Sequence, residues 1–415
     1  MFRKKAYEAS QSLRHLTWKR LLKSRLTLIA MIFIGMAVIV AVMGYLITPD
    51  STPFANQQYI EISAQPPGFK ANMLKIRKNE LAFKQSWFKT MIYGKRNIYT
   101  FIPYNTYRFA NDEIILTEFD LFPSELTAES GFNLADVVYP LLQDFKAEYI
   151  GSDTIRFYDI EGEIHIHSIA ELQNIVKEKY LVERRFWLGS DRYGRDVLSQ
   201  LMIGTRVSLS VGIISVLISL MIGIMAGALG GYFRGWVDNL IVWLINVVWS
   251  IPTLLLVIAI TFALGKGFWQ VFVAVGLTMW VEVARVVRGQ VLSIREKEYI
   301  EAARALGFRH WRIITRHILP NVIGPVIVIS AANFASAILI EAGLSFLGIG
   351  VQPPMPSWGT MIKENYTYII LDKAYLAILP GIAIMLMVLS FMIIGNGLRD
   401  ALDIKTIDNP GKIQV

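Results

Sequence analysis

Six stretches of the chain carry no charged residue and are mostly apolar: 26–49, 207–233, 239–265, 267–281, 317–340 and 374–398. Five of them hold 24 to 27 residues, and about 20 residues at roughly 1.5 Å rise cross a ~30 Å hydrocarbon core. The fourth holds 15. It becomes long enough by running on through Glu282, Arg285 and Arg288, whose side chains can snorkel to an interface. One such stretch would suit a buried helix of a soluble core; six predict an all-α polytopic membrane protein with six transmembrane helices. The first, Leu26 to Ile47, is longer than the ~7–15-residue apolar core of a cleavable signal and lacks a small-x-small site after it, so it reads as a span, 26–48.

Between the first two spans the pattern changes. Residues 49–185 are read as an α+β insertion domain, long enough to fold alone. Gln65-Pro66-Pro67-Gly68 reads as an irregular linker, and Asn97 to Phe122, rich in Ile, Tyr, Phe and Thr, as strands. Thr154 to Ser168 predicts a hairpin turning at Glu161-Gly162, with Ile164 and Ile166 alternating against His165 and His167. Ser168 and Glu171 predict a capping box opening a helix to about Glu183. His165 and His167 share a strand face, but no cysteine and no third ligand at recognisable spacing accompanies them, so a solvated face is expected over a metal site. With no cysteine in the chain, the domain must be held by its core.

Composition agrees with a membrane protein: 54% hydrophobic, 18% charged, mean hydropathy +0.44. Charge then sets orientation. Residues 1–25 carry eight Lys and Arg against Glu8, and residues 285–316 carry eight against Glu296, Glu298 and Glu301. The positive-inside rule places both on the cytoplasmic side, together with the tails 1–25 and 399–415. Residues 48–204 then lie outside, with 17 basic and 21 acidic residues; of the chain's net +8, the membrane and cytoplasmic parts hold +12. The basic balance thus reports topology, and nucleic-acid binding is not needed to explain it.

The core region 186–398 contains a cytoplasmic loop, 289–319, built to fold. Arg295 to Leu306 is uninterrupted helix-forming sequence with acids in its first turns, Gly307 stands where a helix ends in αL, Arg309 to Ile318 predicts a second short helix, and Pro320 opens the next span. Ala302 and Ala303 offer little bulk to an approaching surface. The arrangement suits either a lever docked to another protein or an amphipathic hairpin lying on lipid headgroups.

Glu301-Ala302-Ala303, Gly307, Leu319 and Pro320 resemble the E-A-A-x3-G-x9-I-x-L-P signature of binding-protein-dependent ABC importer permeases, with His317 in place of Ile and Ile318 one position later. In that family the loop forms coupling helices seated on a separate ATPase. Trp187 to Ser199 (W-L-G-S-D-R-Y-G-R-D-V-L-S) with Gly204 to Leu209 resembles a segment of the dipeptide/oligopeptide/nickel branch, Ser190 replacing Thr. Asp191, Gly194, Arg195 and Asp196 are accordingly candidate gate or receptor-contact residues, with an interfacial anchor as the alternative. If helical, Asp191 and Arg195 would form a surface i,i+4 pair contributing only ~0.3–0.5 kcal/mol. Ser250-Ile251-Pro252, where Pro252 should kink a helix, Gly343 to Gly348, and Pro356-Ser357-Trp358-Gly359 are similar to the C-type permease. The likeness covers the first span and roughly 185–405; most of 50–180 is longer than the family's usual loop.

The resemblance implies a permease of the bacterial inner membrane paired as a heterodimer with a sister permease, two ATPase subunits binding ATP and Mg, and an extracytoplasmic solute-binding protein that delivers peptides. No Gly-x4-Gly-Lys-[Ser/Thr] loop occurs, Gly265-Lys266-Gly267 being the nearest fragment, so no cofactor is expected in this chain. Glu282 and Glu341, near span ends, form no proton-relay series of the kind secondary transporters carry. A membrane-anchored receptor using the external domain and a secondary transporter are the alternatives.

Overall fold

The computed structural model describes residues 21–81, 85–121, 128–142, 148–151, 153–265 and 267–402; most of the basic N-terminal tail, Phe122, Lys266 and nearly all of the C-terminal tail lie outside them. The apolar windows become helices: α1 Arg25–Ile47, α5 Val197–Phe233, α6 Gly235–Trp249, α7 Thr253–Leu264, α8 Phe268–Arg295, α11 Leu319–Phe346 and α13 Tyr375–Leu402. Between α1 and α5 lie α2 Trp87–Tyr93, α3 Leu134–Val138 and α4 Ile169–Ile175. Three short helices complete the set: α9 Glu298–Ala305, α10 His310–Ile313 and α12 Trp358–Asn365. Among the described residues, five helices are long and apolar enough to cross a membrane, and α6 with α7 makes a sixth span if the pair, bent by 93°, is counted as one. The bend falls at Ser250–Pro252, where Pro252 cannot donate to the preceding turn and instead opens α7 in extended geometry. The short fourth window does extend through Glu282, Arg285 and Arg288, to Arg295.

The chain forms two compact units, one of residues 1–41, 204–363 and 377–415, the other of 42–203 and 364–376. In the first, α8 packs against α7 and α11. Glycines on α5 set how closely α8 approaches: a Cβ at Gly223 would lie 2.5 Å from the Val283 side chain, and one at Gly227 2.5 Å from the Ala284 carbonyl. Val211, Val257, Phe272, Val275 and Leu344 fill the core beside this contact. Glu341, near the end of α11 as expected, is fully buried and accepts from the Ser345 hydroxyl at 2.6 Å.

The second unit is built on strands β1 Phe69–Arg77, β2 Tyr99–Ala110, β3 Glu113–Glu118, β4 Glu129–Asn133, β5 Glu148–Ile150, β6 Thr154–Tyr158, β7 Ile164–Ser168 and β8 Leu181–Phe186. They form an antiparallel sheet in the order β4-β3-β2-β1-β8 and a three-stranded sheet β5-β6-β7. Leu74, Ile114, Leu116, Leu134, Ile155, Phe157 and Leu172 make its main core, and Met73 and Phe186 pack with Tyr59 and Ile62 in a second. Strand β1 thus buries side chains on both faces, as a central strand should.

Two expectations for this unit need correction. The helix capped by Ser168, whose hydroxyl accepts from the Glu171 amide at 3.1 Å, does not reach Glu183: it ends in a π turn at Tyr180, and Leu181–Phe186 leaves to pair with Phe69–Leu74 as β8. Burial of Phe186 decides the matter over local helix propensity. Nor are His165 and His167 a solvated face. Their side chains are 19% exposed and face Tyr139 and Phe157, while Ile164 and Ile166 point outward. His165 Nε2 meets Asp159 at 2.9 Å, and His167 Nε2 meets the Tyr139 hydroxyl at 2.9 Å. Asp159, Glu163 and His165 lie close enough to share an ion, yet the Glu161 and Glu163 amides already bond Asp159 at 2.9 Å and account for the cluster as a hairpin turn. Burial raises the Asp159 carboxyl, but the His165 bond and these two amides outweigh it and hold it below its ordinary range.

Candidate functional site

The 289–319 loop is a jointed structure. Contrary to an uninterrupted helix from Arg295, α8 stops at Arg295 and extended Lys297 (ψ 141°) starts α9 in a new direction. Glu296, freed at the joint, pairs with Arg234. Helix α9 then ends as the sequence predicts. Gly307 adopts φ +75°, its amide bonds the Arg304 carbonyl at 2.9 Å, and the Phe308 amide bonds the Ala303 carbonyl at 3.1 Å, a complete Schellman motif. Past Gly307, the helical path does not break between α10 and Pro320. A π turn at Ile314–Ile318 carries it into α11, and the wider turn accommodates a proline that has no amide to give.

Side-chain orientation decides what the loop offers. Ile300 and Ala303 turn inward with Ile313, Ile314 and Ile318 against Tyr232, Val287 and Val291. Ala303, expected on the approach surface, is therefore core; Glu301, Ala302, Gly307 and Pro320 are exposed and Leu319 half-buried. Ile318 takes the buried place, and His317 stacks on Phe308 with ring centroids 6.0 Å apart. The elbow is tied down by the Tyr232 hydroxyl, 2.8 Å from His310 Nδ1, and by Arg304 over the Tyr232 ring. The exposed residues include large apolar ones, Leu306 at 73% and Trp311 at 68%, with Tyr299, Ala302 and Ala305, set among the exposed charges of Glu298, Glu301, Arg309 and Arg312. Tyr299, Leu306 and Trp311 were not singled out from sequence, although Tyr299 and Ala302 on α9 and Leu306 at its C-cap, at i, i+3, i+7, form a second apolar stripe.

The second candidate cluster is a closed structural clamp. Asp191 and Arg195 pair at 2.6 Å within a turn, where Gly194 has φ +72°, and both are buried, so the surface helical pair expected from spacing is replaced by an interior one. Arg195 also meets Glu364 at 2.5 Å. Asp196 caps α5 by accepting from the Ser199 amide at 2.8 Å and from its hydroxyl at 2.5 Å. Burial pushes the Asp196 carboxyl above its ordinary value against those two bonds. Residues 50–66 lie against this turn: the Asp50 amide bonds Ser199 Oγ at 2.9 Å, Tyr59 N bonds Tyr193 O at 2.9 Å, and Ser190 Oγ bonds Ile62 O at 2.5 Å. A Cβ at Gly194 would fall 1.7 Å from the Tyr59 carbonyl oxygen, so glycine is required there twice, for φ and for space.

Membrane-length helices, a jointed, core-anchored loop and a glycine-punctuated turn together define a polytopic membrane protein. The comparisons identify the family. Residues 219–407 match the profile of the binding-protein-dependent transport system inner membrane component, and residues 12–67 match the N-terminal membrane domain of oligopeptide transport permease C. The chain is 44% identical over 219 residues, 53% of its length and 72% of the relative's, to the glutathione transport system permease protein GsiD of Pectobacterium atrosepticum. It is 42% identical over the same shares to the dipeptide transport system permease protein DppC of Alkalihalophilus pseudofirmus. The chain belongs to the permease family of binding-protein-dependent ABC transporters. Among solved structures, a chain of the inward-facing MetNI methionine ABC transporter aligns at TM-score 0.42 and 19% identity, over 50% of this chain and 98% of that one. Neither profile reaches residues 68–218, which hold strands β1 to β8.

Proposed function

We propose that the chain is one half of the membrane path of an ATP-driven peptide importer, lying in a bacterial inner membrane with its tails and the 289–319 loop in the cytoplasm. The observation that carries this reading is the exposed Leu306–Trp311 patch on an elbow anchored in the core through Ile300, Ala303 and Phe308. A loop free to slide on headgroups needs no rigid elbow; one that receives force does. The partner is an ATPase subunit, which supplies ATP and Mg chemistry, and a sister permease completes the path. ATP-driven closure of two ATPases would move the elbow as a lever and alternate access. Peptides are the cargo class because the relatives are named for glutathione and dipeptide transport.

The test is co-purification of the ATPase and its stimulation by the permease in Leu306→Asp and Glu301→Arg variants. Truncating or charging a central apolar contact typically costs 2 kcal/mol or more, about 30-fold in affinity. Association and uptake unchanged in both variants would refute docking at this patch.

The strand-rich unit is proposed to lie outside and to meet the solute-binding protein. Its first and last strands are register partners, Phe69 opposite Phe186, so residues 70–185 can be excised and bridged by a short linker. Loss of uptake with ATPase association retained supports the receptor role; undiminished uptake overturns it.

A further inference from the structure

Helix α2 contributes none of its residues to the buried core of its own unit. Its sequence, Trp-Phe-Lys-Thr-Met-Ile-Tyr, leaves Trp87 55%, Phe88 59% and Tyr93 66% exposed, with Ile92 also outward. Trp87 and Phe88 stack with centroids 4.1 Å apart, giving one broad aromatic surface. Lys89, Lys95 and Arg96 are exposed around it. A soluble surface pays solvation cost for such a cluster without return, so the position of the helix matters.

That position is fixed by backbone. The Lys95 amide bonds the Ser51 carbonyl at 2.7 Å, and Gly94 (φ +82°) abuts the same turn so closely that a Cβ would lie 2.9 Å from Pro53 N. Gln85 Nε2 bonds the Gly94 carbonyl at 2.9 Å and ties the helix's two ends together. Ser51 follows the last residue of α1, Ile47, by only four positions, a reach of at most about 14 Å in an extended chain. Helix α1, at about 1.5 Å per residue, is long enough for its end to stand at the edge of the hydrocarbon core. The turn that holds the aromatic cluster is therefore within reach of the headgroup region, where Trp and Tyr concentrate and Lys and Arg meet lipid phosphates.

We propose that α2 is an interfacial anchor, with Trp87, Phe88 and Tyr93 inserted at the headgroup–acyl boundary of the bilayer and Lys89, Lys95 and Arg96 facing anionic headgroups. The partner is the lipid surface that α1 already enters. The anchor tethers the inserted unit to the membrane independently of any receptor, and it needs only the membrane location of the chain.

The chain has no cysteine, so Phe88→Cys and Tyr93→Cys each give a unique site for a spin label in the full-length protein. Ile166→Cys, on the outward face of β7, serves as the aqueous reference. In nanodiscs of phosphatidylethanolamine and phosphatidylglycerol, labels at 88 and 93 are expected to collide more with oxygen and less with a water-soluble nickel chelate than the label at 166. Replacing phosphatidylglycerol by phosphatidylcholine should shift both labels toward the chelate. Labels at 88 and 93 as open to the chelate as the reference would overturn the proposal. So would labels shielded from both quenchers, which would mean a protein cover.

Discussion

Replacing Gly307 by alanine isolates one physical term. The residue has φ +75°, and a Cβ built there meets nothing within 4 Å. The cost is therefore purely that of holding an L-residue in the left-handed region, about 1–2 kcal/mol. It falls on the Schellman motif, whose amides at Gly307 and Phe308 close the end of α9. Local opening of that end should become roughly 5–30-fold more frequent, since about 1–2 kcal/mol shifts an equilibrium by that factor. Hydrogen exchange of amides 307 and 308, followed by mass spectrometry in detergent or nanodiscs, reads the opening directly. Asparagine tolerates αL better, so Gly307→Asn should sit between wild type and Gly307→Ala. The control is Gly289→Ala: that glycine is inside α8, also with open space around its Cβ and no left-handed φ, so alanine there should be neutral or stabilising by about 0.5–1 kcal/mol. Unchanged exchange in Gly307→Ala, or Asn indistinguishable from Ala, would refute the account of the elbow. If the elbow also transmits force, ATPase stimulation should fall in the same order as protection is lost.

Arg195→Ala should strand two carboxylates, Asp191 and Glu364, in a buried clamp, at a cost of about 3–5 kcal/mol. Thermal unfolding of the purified protein should show it as a large drop in midpoint; a shift no larger than that of an exposed substitution such as Lys70→Ala would show the clamp to be dispensable. Asp159 predicts a pH effect with a definite sign. Its folded pKa lies below the ordinary 3.8, so its stabilisation is present above that value and lost as pH falls through the folded one. Wild type should therefore lose stability below about pH 4 more steeply than Asp159→Asn. Parallel melting curves for the two proteins from pH 6 to 3 would contradict the hydrogen-bonded turn around Asp159.

Periodicity and charge spacing made the membrane helices legible because a bilayer imposes one requirement, a long apolar run, on each of them separately. The hairpin at Thr154–Ser168 and the elbow at Gly307 were legible for a related reason: a left-handed turn needs a glycine at a set offset, and Gly162 and Gly307 stand there. Failures occurred wherever tertiary burial outvoted a local pattern. Leu181–Phe186 continues a helical run by propensity, but the open edge of β1 and a core place for Phe186 draw it into a strand. His165 and His167 alternate with isoleucines, and the ordinary rule would bury the isoleucines. Here hydrogen bonds to Asp159 and the Tyr139 hydroxyl make the imidazoles the better-satisfied inward face. The same reasoning sharpens the candidate site. A signature of small residues, Ala302 and Ala303, marks where the loop is, but adjacent positions on a helix cannot both face a partner, and the structure gives Ala303 to the core. The outward surface instead rests on Leu306 and Trp311, which no motif marks. Under the docking proposal, contact would fall on this exposed apolar bulk, while the motif beside it records how the elbow is built.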